Sequence, residues 1–245
     1  MGKVIENFEL ISFTAADELA WTVAREWLDE IEAANRTGKR HCVALSGGRI
    51  AQKFFTAAVE QAKERAVSFG AVHFFWADER CVPSGEKESN FRLADERLFV
   101  PLQIAESQIH RIYGELPPES AAAQAAAQIC KITPLNQSGQ PVLDLIFLGM
   151  GEDGHVASLF SGEVETARSD RAIYRAVKNS PKPPPNRITL GYATIAAARG
   201  VWVLVSGADK ELALRKSLCV NGHTPLARVT QFRTQTRIFT DFRPV

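Results

Sequence analysis

An aspartate and a histidine two residues apart, Asp153 and His155, lie in the run Gly149-Met150-Gly151-Glu152-Asp153-Gly154-His155, where three glycines surround them. A neutral imidazole takes up and returns a proton near pH 7, and a positioned general base contributes about 10²–10⁴-fold to a rate. Asp153 is close enough along the chain to orient that ring or to hold a water. The glycines admit positive φ and let a ligand approach the backbone. The preceding run, Leu143-Asp144-Leu145-Ile146-Phe147-Leu148, is short and apolar, as in a strand buried on both faces. His155 is therefore the candidate base and Asp153 its partner. The plainer reading is a helix-capping Asp with an incidental His.

Three other apolar runs end in unusual residues. His41–Leu45 meets Ser46-Gly47-Gly48-Arg49, Ala71–Ala77 meets Asp78-Glu79-Arg80, and Gly200–Val205 meets Ser206-Gly207-Ala208-Asp209-Lys210. Ser-Gly-Gly between a strand and a helix suits an anion, because free N–H groups and the helix dipole favour negative charge. It suits a simple tight turn equally. Arg49 and Lys210 fall in a first helical turn, where a cation opposes the dipole. A phosphate resolves both placements, whereas snorkelling into solvent explains either one alone. Arg80 is a candidate phosphate ligand and Asp78 a candidate partner for sugar hydroxyls, although alone the run reads as solvated charge. The remaining histidines, His41, His73, His110 and His223, lack a comparable setting and read as structural or surface residues. Cys81 beside Arg80 has no assigned base, so an activated thiol there is the weaker reading.

The elements that would place these residues alternate along the chain. Strands are expected at 4–13, 41–45, 71–77, 143–148, 173–177, 188–190, 200–205 and 237–240. Helices are expected from Ala16 to beyond Ile31, and at 50–67, 91–99, 118–131 and 208–219. The apolar residues after His155 suggest a helix or a turn packing back. Ser180-Pro181-Lys182-Pro183-Pro184-Pro185-Asn186 is neither helix nor central strand, and reads as a stiff loop delivering Arg187. Apolar strands alternating with helices imply an α/β fold with a mostly parallel, Rossmann-like sheet and helices on both faces. No internal repeat or linker divides residues 1–245, which read as a single domain. In such a sheet the ligand binds outside the carboxyl ends of the strands, where all four unusual ends gather.

The 245 residues are 45% hydrophobic and 23% charged, with a formal net charge of +1. No basic excess points to nucleic acid, and no apolar run approaches membrane-spanning length. The four cysteines, Cys42, Cys81, Cys130 and Cys219, are scattered, with no CxxC pair and no histidine at zinc spacing. A disulfide framework or structural zinc is not expected, and a reducing cytoplasm is the natural location.

Gly149-Met150-Gly151-Glu152-Asp153-Gly154-His155-Val156-Ala157-Ser158-Leu159-Phe160 closely resembles the signature of the 6-phosphogluconolactonases. Trp76 to Pro83 followed by Ser89-Asn90, then Arg187-Ile188-Thr189-Leu190, fit that family in the same order. Leu45-Ser46-Gly47-Gly48 and Gly207-Ala208-Asp209-Lys210 fit as well, so the resemblance runs from roughly residue 15 to 240. The same superfamily includes glucosamine-6-phosphate isomerase/deaminases, which carry a glutamate five residues after the histidine. Phe160 stands there in this chain, which favours the lactonase over the isomerase. A non-catalytic sugar-phosphate sensor is a third reading, opposed by the intact Asp153/His155 pair. One departure is local: the family usually continues Ser-Gly-Gly with Ser-Thr-Pro, and this chain has Arg49-Ile50-Ala51.

The resemblance implies hydrolysis of 6-phospho-D-glucono-1,5-lactone to 6-phospho-D-gluconate, with His155 and Asp153 catalytic. Ser46, Gly47, Gly48, Arg49, Asp78, Arg80, Arg187 and Lys210 would bind the substrate and its phosphate. It implies no metal and no other cofactor. The partner would be a small sugar phosphate lactone, and the chain a monomer or weak homodimer.

Overall fold

A strand covered on both faces must be apolar on both, and three strands meet that condition. All five residues of β2 (His41–Leu45) are buried, as are all but one terminal residue of β5 (Leu145–Gly149) and of β8 (Gly200–Val205). The computed structural model describes residues 7–162 and 171–243. With β1 (Glu9–Ser12), β3 (Val72–Trp76) and β9 (Arg237–Thr240), these strands form a six-stranded sheet in the order β1-β9-β8-β5-β2-β3. Every neighbouring pair is parallel. The fold is the expected α/β arrangement around a mostly parallel sheet.

The two long helices α1 (Ala16–Arg36) and α2 (Arg49–Arg65) pack against each other over this sheet. Trp27 of α1 anchors them: its ring centroid lies 5.4 Å from Phe54 of α2, 5.5 Å from Phe147 of β5 and 6.4 Å from Phe74 of β3. Truncating so buried an aromatic costs about 3–5 kcal/mol.

The strand order places the site. From β2 the chain moves outward to β3, then returns to the other side of β2 as β5. The switch point therefore lies between the carboxyl ends of β2 and β5, where a crevice opens in such sheets. The Ser46–Gly48 turn leaves β2 at that point, and the Gly149–His155 turn leaves β5.

Several elements differ from the sequence reading. The charged end of β3 is itself a strand, β4 (Asp78–Arg80), which leaves the main sheet. It joins a small antiparallel sheet in the order β4-β7-β6 with β6 (Tyr174–Val177) and β7 (Arg187–Leu190). Arg187 thus belongs to the strand rather than preceding it. The helix expected at 91–99 runs from α3 (Asn90–Ala94) through a π-helical stretch, Asp95–Phe99, into α4 (Val100–Leu102). Next comes α5 (Pro118–Ile132), close to its expected span. A short helix not foreseen, α6 (Tyr192–Ala197), follows β7. The helix expected over 208–219 divides into a 3₁₀ turn, Ala208–Lys210, and α7 (Glu211–Leu218), before α8 (Pro225–Gln231). Directly after His155 the chain takes the turn rather than the helix: Val156 bridges to both Met150 and Leu159. Of the opening strand expected at 4–13, residues 4–6 lie outside the described residues.

Candidate active site

The turn after β5 folds around the imidazole. Asp153 Oδ1 lies 2.5 Å from His155 Nδ1 and also accepts the His155 backbone N–H at 3.3 Å. A carboxylate on Nδ1 selects the tautomer protonated there, leaving Nε2 with its lone pair. Burial raises the Asp153 pKa, but the hydrogen bonds and charge of His155 outweigh it, so the carboxyl sits below its ordinary range. Gly151 has to be glycine: a Cβ there would lie 2.1 Å from His155 Cε1. The turn is anchored from the far end of the chain, since Leu226 of α8 donates its N–H to the Gly154 carbonyl at 3.2 Å. Gly154 has φ +80, and a Cβ there would lie 2.9 Å from Thr224.

A cleft of about 130 Å³ opens in front of this turn. Its lining includes His155, the Ser46–Gly48 turn, Arg49, Asp78, Arg80, Arg187 and Lys210. Of the sequence-predicted site residues, only Asp153 is outside the lining, behind the imidazole it holds.

The small sheet explains two of the cations. In its register Arg80 stands directly opposite Arg187. Like charges facing each other across a ladder destabilise it unless an anion sits between them. Arg187 is 4% exposed, and its Nε and Nη2 donate to the carbonyls of Pro184, Lys182 and Pro183 at 2.9–3.1 Å. Burial pulls its pKa down and Arg80 adds to that, while Asp78 opposes it. The cis Pro183-Pro184 loop thus grips the guanidinium by its back and leaves Nη1 towards Ser158. Arg80 Nη1 donates to Glu88 O, and its buried Nε has no partner.

The other two cations flank the sheet's switch point. Arg49 opens α2, whose N-terminus carries no capping side chain and no acid in its first turn; Gly48 before it has φ +104. The Arg49 side chain is 81% exposed and pairs with Asp209 at 3.3 Å. Lys210 closes the 3₁₀ turn at the N-cap of α7. Burial lowers its pKa and Arg49 lowers it further; Asp209, Asp241 and Glu152 offset only part of this. Four cations around one cleft, one of them opposing a helix dipole, make a site for a multiply charged anion.

The structure refines the other expectations. Ser46 Oγ donates to Phe147 O at 2.9 Å, so its hydrogen ties β2 to β5 and the oxygen remains an acceptor. Asp78, expected to meet sugar hydroxyls, receives Ser158 Oγ–H at 2.7 Å and Asn90 Nδ2 at 3.4 Å. It is chiefly the counter-charge and bracket of the Arg187 corner. Glu79 is buried and accepts from the backbone of Arg80, Asn90 and Phe91 and from the Ser89 hydroxyl. Burial raises its pKa against those bonds, and it serves as an internal cap for α3.

Sequence reasoning did not assign Asn90 and Ser158. Asn90 lines the cleft, and a Cβ on Gly47 would fall 1.9 Å from its Oδ1, which is why that turn needs glycine. Ser158 is fully buried between Asp78 and Arg187. Both sit in the motif segments, but only their polarity amid apolar neighbours marks them. Among the described residues no group of three or more His, Cys, Asp or Glu side chains is placed to hold a metal ion.

Comparison with known proteins gives the family. Residues 14–238 match the family described as glucosamine-6-phosphate isomerases/6-phosphogluconolactonase. The 6-phosphogluconolactonase of Mycobacterium bovis is 32% identical over 222 residues, 88% of this chain and 87% of that one. The probable chloroplastic 6-phosphogluconolactonase 3 of Oryza sativa subsp. indica is 35% identical over 216 residues, 85% of this chain; the match spans 65% of that relative's length. Among solved structures, the 6-phosphogluconolactonase of Trypanosoma brucei superposes with a TM-score of 0.78 at 26% identity, covering 94% of this chain and 95% of that one. The chain belongs to the glucosamine-6-phosphate isomerase/6-phosphogluconolactonase family.

Proposed function

We propose that this chain hydrolyses 6-phospho-D-glucono-1,5-lactone to 6-phospho-D-gluconate. The observation that carries the reading is the Asp153-held His155 on a cleft that it shares with four cations. Arg80, Arg187, Lys210 and Arg49 hold the phosphate, which fixes the lactone relative to the imidazole and converts binding energy into orientation. His155 Nε2 takes a proton from water as the water oxygen bonds to the ring carbonyl carbon. Asp153 stabilises the imidazolium that forms. Backbone N–H groups of the glycine-rich turns face the developing oxyanion. The intermediate collapses by breaking the bond to the ring oxygen, which takes the proton from His155 and leaves as a hydroxyl. The product acid then ionises.

Phe160 stands where the isomerases of the family carry glutamate, so ring opening and carbon-bound proton transfer lack a carboxylate. Hydrolysis needs only the base and water. The substrate is a free sugar phosphate, and the enzyme works as a monomer or weak homodimer in the cytoplasm. No helix among the described residues is long and apolar enough to cross a membrane.

Freshly generated lactone, followed against its spontaneous hydrolysis, tests the reading. The protein should accelerate hydrolysis, and His155→Ala should remove most of that turnover with KM little changed. A His155→Ala variant with wild-type kcat would refute the base assignment. Turnover of glucosamine 6-phosphate instead of the lactone would replace the reading with the isomerase.

A further inference from the structure

Phe160 touches both halves of the site. Its side chain is only 4% exposed, its ring centroid lies 4.8 Å from that of His155 at an interplanar angle of 39°, and the Arg187 guanidinium carbon lies 5.7 Å from the same centroid. Each neighbour is held by hydrogen bonds along one edge and meets the Phe160 ring on another side. Asp153 restrains His155 through Nδ1, and Gly151 lets the ring settle against the backbone, but neither prevents it from tilting about that bond. Arg187 is held through Nε and Nη2 by the proline loop, while Nη1 has only a 3.4 Å contact with Ser158. A flat aromatic surface restrains a neighbouring ring by edge and face contact, and its negative face attracts a guanidinium.

We propose that Phe160 is a positioning residue for the reaction: its ring braces the His155 imidazole and the Arg187 guanidinium together, so that base and anion-binding cation keep one fixed spacing. This rests on the lactonase reading above. It gives the position a role beyond the missing isomerase glutamate. An aliphatic side chain of similar size fills the same volume but presents no ring to either neighbour.

The test compares Phe160→Leu with Phe160→Tyr in the full chain, reading kcat, KM, the pH profile of kcat and the ¹⁵N resonances of the His155 ring. A misplacement of the reacting groups by about an ångström costs on the order of 100-fold, so Phe160→Leu should lower kcat by about 10- to 100-fold. KM should rise as Arg187 loosens, and the acidic limb of the profile should move. The charged groups on that limb are Glu152 and Asp153 on the histidine's own turn, Arg187 behind Phe160, and Asp78, Arg80, Arg49 and Lys210 in the cleft lining. Phe160→Tyr keeps the ring and should stay within about twofold of wild type in kcat, since no contact it makes is lost.

Phe160→Leu with wild-type kcat, KM and pH limb but a lowered Tm would overturn the proposal and make Phe160 a core filler. Where that variant does not fold, Phe160→Met supplies the ring-free comparison. If the wild type fails to accelerate lactone hydrolysis, the functional reading falls; the positioning claim then stands or falls on whether the His155 resonances and titration midpoint move in Phe160→Leu.

Discussion

His155 and His110 face partners of different chemistry, a carboxylate and a second imidazole, and the difference decides what each ring can do. His155 faces a carboxylate at 2.5 Å on the lining of a cationic cleft. His110 faces another imidazole: its Nε2 lies 3.0 Å from His73 Nδ1, the two rings stack at 5.2 Å, and Phe75 covers His110 at 4.7 Å. A carboxylate fixes the tautomer and stabilises the protonated ring, which a base needs. A second imidazole accepts or donates one hydrogen but repels a proton on its neighbour. Burial, and then the charge of His73, push the His110 pKa down to about 4, so that ring stays neutral as part of the wall beside β3. Histidine in a sequence therefore announces nothing until its partner is known.

Exchanging the two settings sharpens the contrast most. His155→Gln should lower kcat by about 10²–10⁴-fold, the usual worth of a general base, whereas His110→Gln should leave kcat within about twofold. Equal losses in the two variants would erase the distinction. Next in size is Asp153→Asn, which keeps the shape but no longer selects the Nδ1–H tautomer or supports the imidazolium. A kcat loss of roughly 10²-fold with unchanged Tm is expected, from steady-state kinetics beside thermal unfolding.

A third histidine extends the comparison to one buried against an indole. His41 Nε2 accepts the Trp27 indole N–H at 3.3 Å inside the core. His41→Phe orphans that donor and should cost about 1–3 kcal/mol in chemical denaturation, with activity per folded molecule unchanged. The smallest effect is the pH response of the imidazole pair. Because the folded pKa of His110 lies below its unfolded value, the unfolded chain binds more protons between the two. Stability is thus complete above about pH 6.5 and lost as pH falls towards about 4. Tm measured across that window should slope less in His110→Phe than in wild type. An identical slope would take the pair out of the acid response.

The sequence held the main sheet openly, because β2, β5 and β8 are apolar runs closed by glycine turns. Asp153, His155, Arg49, Arg80 and Lys210 stood out for the same reason, each lying just past such a run, while Arg187 stood out by following the proline loop. The small sheet was hidden. Asp78-Glu79-Arg80 has no apolar alternation, its partner strand lies far along the chain, and its burial is permitted by bonds that no local pattern shows. With that sheet unseen, the facing of Arg80 and Arg187 was invisible, and so were the bridging roles of Ser158 and Asn90. The segment after His155 read as a helix or a turn, and it is the turn, doubling back on Met150; its apolar residues marked the burial without fixing the period.

The sheet's edge strand has a consequence for synthesis. Among the described residues β1 pairs only with β9, so residues 9–12 find their neighbours at 237–240. During translation from the N-terminus, β1 must wait for almost the whole chain to emerge before it docks. Until then the β8 edge, with Trp202 on it, stays open to unwanted strand pairing. The Asp153–His155 turn waits on the same late segment, since Gly154 is anchored by Leu226. A ribosome-bound fragment ending before residue 226 would carry every charged group of the cleft, yet lack the bond that ties the His155 turn to α8.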